Sequence, residues 1–251
     1  MNAIILGDSH VVALKEAWEA LGTEERLGLA GTDHLPIGML AFGDQFLAGP
    51  FHSVSGNQLD FTSQDMRDSL ERLSPGSGGA IRRGDDRHYI VSLGFQGVRL
   101  YNSDMWRNWT VGDTVRSKQY VSRAAFREMV LDMNRHILSF YDAMMALDLE
   151  FSVMAAPPLP RTYLDGPNHP PFVDEELLEI RDAYVDAFAG ILERKGIRHV
   201  LPPSGITERG FLKAEFGQTR QVGDFHGNAA YGSIFLRKLL PAIRTGSLAW
   251  S

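Results

Sequence analysis

The chain has 251 residues, a formal net charge of −6 at pH 7, 44% apolar and 22% charged residues, and no cysteine. That length is the size of one large α/β domain or two small ones, enough to bury about three quarters of the unfolded surface. The cysteine count excludes disulfides, thiolate catalysis and cysteine-zinc sites, and the acidic balance, with Arg82-Arg83 only a doublet, argues against general nucleic-acid binding.

Ala3–Leu6 is a continuous aliphatic run that ends at Gly7, the pattern of a buried strand. Gly7 suits a sharp turn, and Asp8 and Ser9 are good openers of a helix. Val11, Val12, Leu14, Ala17, Trp18 and Leu21 follow near helical spacing, with Gly22 where a C-cap glycine is expected. Ser9 therefore falls at the carboxyl end of a strand and the start of a helix. Open α/β sheets bind ligands at that edge, and the partial positive charge there favours a developing oxyanion. The position suits a nucleophile and equally a capping serine.

Gly28 to Thr32 reads as loop, and Pro36–Phe42 as a second strand ended by Gly43, with Gly38 inside it. Ser55-Gly56-Asn57 centres a short hairpin, and Gln64–Leu73 reads as a helix. The Ser74–Gly79 segment that follows lacks the Gly-Lys-Ser/Thr of a phosphate loop. His88–Leu93 is the clearest interior strand and runs into Gly94-Phe95-Gln96. Leu100–Val111 then carries Tyr101, Trp106 and Trp109 among Asn102, Arg107 and Asn108. Exposed at the sheet edge, this stretch would stack on a sugar ring or cover an acyl chain; buried, it is core. Arg99 and Arg116 read as surface residues, with carboxylate recognition as the alternative.

Ser122–Leu147 has apolar residues at three- and four-residue spacing and predicts one long helix. Phe151–Ala156 is a fourth strand halted by Pro157 and Pro158. Leu159–Phe172 is a proline-rich loop over the same edge, in the place of a lid or a specificity loop. A helix from Asp174 to about Lys195, a fifth strand at Ile197–Leu201 and a polar connection over Gly205–Val222 follow. Asn228 caps a last helix over Ala229–Ile243. Five strands separated by helical crossovers, with no composition break, predict one domain over residues 1–251, a three-layer α/β/α sandwich on a parallel sheet.

The connection delivers Gly223-Asp224-Phe225-His226-Gly227. A serine hydroxyl becomes nucleophilic when an imidazole takes its proton, and a carboxylate fixes the imidazole's tautomer and stabilises its charged form. With Gly7-Asp8-Ser9-His10 at one end and Asp224 and His226 at the other, the chain resembles the SGNH or GDSL-type hydrolases as a divergent member. Many members have Leu where His10 stands. The family's last block is Asp-x-x-His, whereas Asp224 precedes His226 by two residues and Gly223 holds the position three before it.

The resemblance implies a flavodoxin-like strand order 2-1-3-4-5, with Ser9 as nucleophile, His226 as base and Asp224 as the orienting acid. It implies an oxyanion hole built from the Ser9 amide, the amide of a glycine after the second strand and a side-chain amide. Gly43 is the better match for the glycine, with Gly38 as alternative. In the family's third block, Gly-x-Asn-Asp, Gln96 takes the Asn position and Gly97 the Asp position; Asn102 is a substitute donor. Parallel topology brings Ser9, Gly43, Gln96 and His226 to one side of the sheet.

The implied activity is that of a serine esterase or deacylase acting on a small acyl ester, a sugar O-acetyl group among them, with no cofactor. Gln96 and the shortened Asp-to-His spacing leave open a degenerate member that binds an acylated or glycosidic partner without turnover. An acyltransferase to a sugar is the third reading. The eight histidines are scattered, with no His-Glu-x-x-His, so no catalytic metal is expected, and Gly7-Asp8-Ser9 is not a dinucleotide fingerprint. No apolar run approaches the ~20 residues of a membrane span, and the segment before Gly7 has no basic leader, so a cytoplasmic chain is expected.

Overall fold

Every side chain of Ala3-Ile4-Ile5-Leu6 is buried, and successive residues enter different cores: Ile4 and Leu6 join one apolar cluster, Ala3 and Ile5 the other. A strand covered on both faces has no polar side, which is why the run is unbroken rather than alternating. The structure is a computed structural model that describes residues 2–115, 117–218 and 221–245.

The central sheet holds β1 (Ala3–Gly7), β2 (Ile37–Met39), β3 (His88–Ser92), β4 (Phe151–Met154) and β5 (His199–Val200), all parallel, in the order β5-β4-β3-β1-β2. Ile5 pairs with Ile37 on one side and Ile90 on the other, and Val91 pairs with Val153. Among these five strands the order is 2-1-3-4-5. Counted over all the described strands, the members are the first, second, sixth, ninth and tenth, because short two- and three-stranded pieces intervene in the chain.

Helices Val11–Ala20 and Ala229–Thr245 pack together over Ala3, Ile5, Ile90, Met154 and Val200. Helices Arg123–Met133, Arg135–Ala146 and Asp174–Arg194 contribute to the opposite layer over Ile4, Leu6, Tyr89, Val91 and Val153. These are the three layers expected. No helix among the described residues is long and apolar enough to cross a membrane.

Several boundaries differ from the sequence expectation, each for a local reason. The residues read as loop at Gly28 belong to a helix, Thr23–Ala30, with Glu24 and Glu25 in its first turn and left-handed Gly31 (φ 70°) at its end. Gly22 precedes that helix, and the C-cap of the previous one is Leu21. β2 stops at Met39, and Gly43 starts a short helix, Gly43–Ala48. The fifth strand is shortened to His199–Val200.

The long helix divides at Asn134, which is buried with φ −99° and ψ 11°. Its side-chain amide turns back to donate to the Val130 carbonyl at 2.9 Å and to the Tyr184 hydroxyl at 3.0 Å. That local bond competes with the helical ladder.

Trp106 and Tyr101 are core residues, the Trp106 indole N–H donating to the Leu100 carbonyl at 2.8 Å, while Trp109 is exposed. Lys118 pins this segment to the helix below through an ion pair of 2.6 Å with buried Glu176. Arg99 is exposed, and Arg116 lies outside the described residues, as do residues 219 and 220 of the polar connection.

Candidate active site

The turn after β1 carries Ser9. Gly7 is the last residue of that strand, paired with Ser92 of β3, and a Cβ on it would overlap the Ser92 carbonyl oxygen. What requires glycine here is close approach of two strands, rather than the turn itself. Asp8 then folds the chain: its amide donates to the Ser92 carbonyl at 3.3 Å, and its Oδ1 accepts from the His10 amide at 3.1 Å. This side-chain-to-backbone bond two residues on is an Asx turn, and it presents Ser9 half-buried at the head of helix Val11–Ala20.

His226 is held by an independent device. Its carbonyl accepts from Gln218 at 2.9 Å, and Gly217 and Gly227 form an antiparallel bridge. Asn228 caps the last helix by accepting from the Ala230 and Tyr231 amides at 2.9 and 3.2 Å, while its own amide donates to the Glu215 and Gly217 carbonyls. The chain is thus clamped on both sides of the imidazole.

The two devices meet. Ser9 Oγ lies 2.8 Å from His226 Nε2, and His226 Nδ1 lies 2.8 Å from Asp224 Oδ1. A carboxylate at Nδ1 holds the ring proton there, which leaves Nε2 as the acceptor for the serine hydroxyl. Asp224 is only 6% exposed at its side chain and His226 25%, so the acid is shielded while the imidazole has a solvent-facing edge.

Two neighbours of this row were not singled out as site residues from the sequence. The Phe225 ring stacks on His226 at 4.3 Å between centroids, and the His10 ring lies 4.9 Å from it. His10 follows Ser9 and Phe225 precedes His226 directly in sequence, and aromatic character at those positions was the available signal. His10 is 4% exposed, and burial first, then the nearby His226, lowers its pKa to about 3. It stays neutral and places no fixed charge against His226. Asp8 shows the opposite effect of burial, which outweighs the backbone N–H bonds it accepts and raises its carboxyl to about 7.

Gly43 and Gln96 come together beside this turn. A Cβ on Gly43 would overlap Gln96 Nε2 and lie 3.5 Å from Asp8 Oδ2. Gln96 follows the turn after β3, whose carbonyls are held from the helical layer: the Tyr141 hydroxyl donates to Leu93 at 2.9 Å and the Tyr184 hydroxyl to Gly94 at 2.6 Å. Gly38 packs against Leu73 instead, and the Asn102 side chain accepts from the Tyr163 hydroxyl. His169 is stacked between Tyr163 and Phe172, with both ring nitrogens against backbone carbonyls. Among the described residues no group of three or more histidine, aspartate or glutamate side chains is placed to hold a metal ion.

No protein-family model and no curated protein sequence matches the chain. Among solved structures it is similar to a candidate acylhydrolase from Bacteroides fragilis, at 10% identity over 98% of this chain and 88% of that one, with a TM-score of 0.49. It is also similar to a candidate platelet activating factor from Streptococcus pneumoniae, at 14% identity over 99% of this chain and 84% of that one, with a TM-score of 0.45. Both scores lie below 0.5, and the functional reading rests on the site's own geometry.

Proposed function

We propose that the protein is a serine hydrolase of carboxylic esters, of the SGNH or GDSL type, with Ser9, His226 and Asp224 as its catalytic residues. The observation that carries this reading is the continuous row Ser9 Oγ, His226 Nε2, His226 Nδ1, Asp224 Oδ1, with 2.8 Å at each hydrogen bond. A capping serine needs no imidazole, and a buried structural histidine needs no access to solvent.

In the proposed reaction Ser9 Oγ bonds to the ester carbonyl carbon as its proton passes to His226 Nε2. The C–O bond to the alcohol breaks and the same proton leaves on that alcohol. Water then gives a proton to His226, its oxygen bonds to the acyl carbon, and the proton returns to Ser9 as the carboxylic acid departs. The charge that develops on the carbonyl oxygen is met by the Ser9 and Gly43 amides and the Gln96 side chain. Phe225 and neutral His10 face the imidazolium, the former in a stacking position that favours a cation.

A fluorophosphonate probe tests the reading. Labelling of the intact chain on Ser9, lost in Ser9→Ala, is the expected result. A folded protein that takes no label and turns over no ester would instead be a binding module. Labelling combined with acyl transfer to added sugar, in place of release of the free acid, would make it an acyltransferase.

A further inference from the structure

Between the loops that follow β3, β4 and β5 lies a cavity of about 310 Å³. Its lining includes His10 and Phe225, whose rings lie against His226, together with Gln96 and the apolar Phe95, Leu159, Val185 and Leu201. The charges at its rim are already spent: Arg181 is paired with Asp182 and donates to the Gly210 carbonyl. An enclosure of this kind takes an apolar group and makes no demand for a charged one.

On the hydrolase reading above, we propose that this cavity holds the acyl group of the substrate. That group is a chain of about four to eight carbons or an aryl ring, since a volume near the lower end of small-molecule pockets, about 300–1,000 Å³, far exceeds an acetyl group. The substrate is then a medium-chain or aryl ester, and the sugar O-acetyl expectation gives way to it.

The assignment to the acyl side follows from access. The solvent-facing edge of His226, 25% exposed, is where the alcohol leaves and water arrives. The acyl group stays on the enzyme through both half-reactions, and the apolar cavity beside Gln96 and Phe225 retains it without competing hydrogen bonds.

The test is the dependence of kcat/KM on acyl length with p-nitrophenyl acetate, butyrate, hexanoate, octanoate and benzoate, using the full chain. We expect a rise of about three- to fourfold per methylene, the ordinary gain for burying that group, so that butyrate exceeds acetate by about tenfold. Val185→Trp, which fills the cavity from the helix side, should lower the octanoate-to-acetate ratio by about tenfold. Leu201→Phe should move the ratio the same way, and a thermal melt checks that each variant folds.

Fluorophosphonate labelling of Ser9 in each variant separates the two readings. Labelled protein whose kcat/KM is flat or falls from acetate to octanoate overturns the acyl cavity and leaves the hydrolase. A response to alcohol length among acetate esters, with none to acyl length, overturns it too and gives the cavity to the leaving group. Folded protein with neither label nor turnover overturns both.

Discussion

One oxygen of Asp224, Oδ1, accepts from the His226 backbone N–H at 2.9 Å and sits 2.8 Å from the same residue's ring Nδ1. The two-residue spacing makes this possible. A carboxylate reaches the amide two positions on as an Asx turn, and the turn swings the imidazole of that residue over the same oxygen. Asp224→Asn keeps an acceptor for the amide but offers the ring a side chain that no longer enforces the tautomer. Activity should fall by about 10⁴-fold in kcat, with the melting temperature little changed. Inserting a glycine after Phe225, which recreates an Asp-x-x-His spacing, should also abolish activity because it breaks the turn. Full activity in the insertion variant would show that another acid orients His226.

Gln96 occupies the space a Cβ on Gly43 would need. Gly43→Ala therefore displaces the Gln96 amide even though it leaves the backbone N–H at Gly43 intact. If both serve the oxyanion, Gly43→Ala and Gln96→Ala should each lower kcat by about 10²- to 10³-fold with small effect on KM. The double variant should lose scarcely more than either alone, because the first substitution has already removed the donor that the second deletes. Additive losses in that cycle would mean the two residues act separately.

The sheet was legible because its strands are buried on both faces. Ala3–Leu6 and His88–Leu93 have no exposed side to blur the pattern, and helical crossovers leave few ways to connect parallel strands. The hydrogen-bonded row of Ser9, His226 and Asp224 had a chemical signal in the sequence, a serine and a carboxylate-imidazole pair standing at loops. What could not be read was whatever depends on a partner distant in sequence. Asn134 divides a strongly periodic helix because Tyr184 lies opposite it. Gly7 is required by Ser92 of another strand. Gly28 hid a helix whose Glu24 and Glu25 start and left-handed Gly31 end are individually weak signals.

Lys118 and Glu176 form an ion pair at 2.6 Å in which the glutamate side chain is 2% exposed and the lysine 14%. Lys118 also donates to the Trp106 carbonyl, so it ties the aromatic segment to helix Asp174–Arg194. Removing one partner strands the other: Glu176→Ala should cost about 3–5 kcal/mol in denaturant unfolding. The double replacement Lys118→Met with Glu176→Leu should recover most of that loss, since it removes both desolvated charges. A Glu176→Ala cost below about 1 kcal/mol would mean that the pair is solvated like a surface bridge.

Asp8 and the buried histidines pull stability in opposite directions with pH. The Asp8 carboxyl, raised from 3.8 to about 7 by burial, takes up its proton more readily in the fold than in the unfolded chain. Its contribution is full below pH 3.8 and is lost as pH rises through about 7. Burial lowers His10 to about 3 and His88 to about 4 from an ordinary 6.5, so theirs is present above pH 6.5 and lost as pH falls toward those values. Asp8→Asn keeps the side-chain oxygen that accepts from the His10 amide and removes the buried ionisation. It should stabilise the protein at pH 8 by an amount on the order of 4 kcal/mol, and by less at pH 5. Between about pH 4 and 6.5 Asp8, His10 and His88 together take up a net of about one proton on unfolding in the wild-type protein, and about two in the variant. The acid loss should steepen by about 1.4 kcal/mol per pH unit in the variant, and His10→Leu added to Asp8→Asn should remove that increment. Denaturant melts at half-unit steps from pH 4 to 8 measure all three slopes. Equal destabilisation of Asp8→Asn at pH 5 and pH 8 would mean that Asp8 is ionised and paired in the fold, and the opposition described here would not exist.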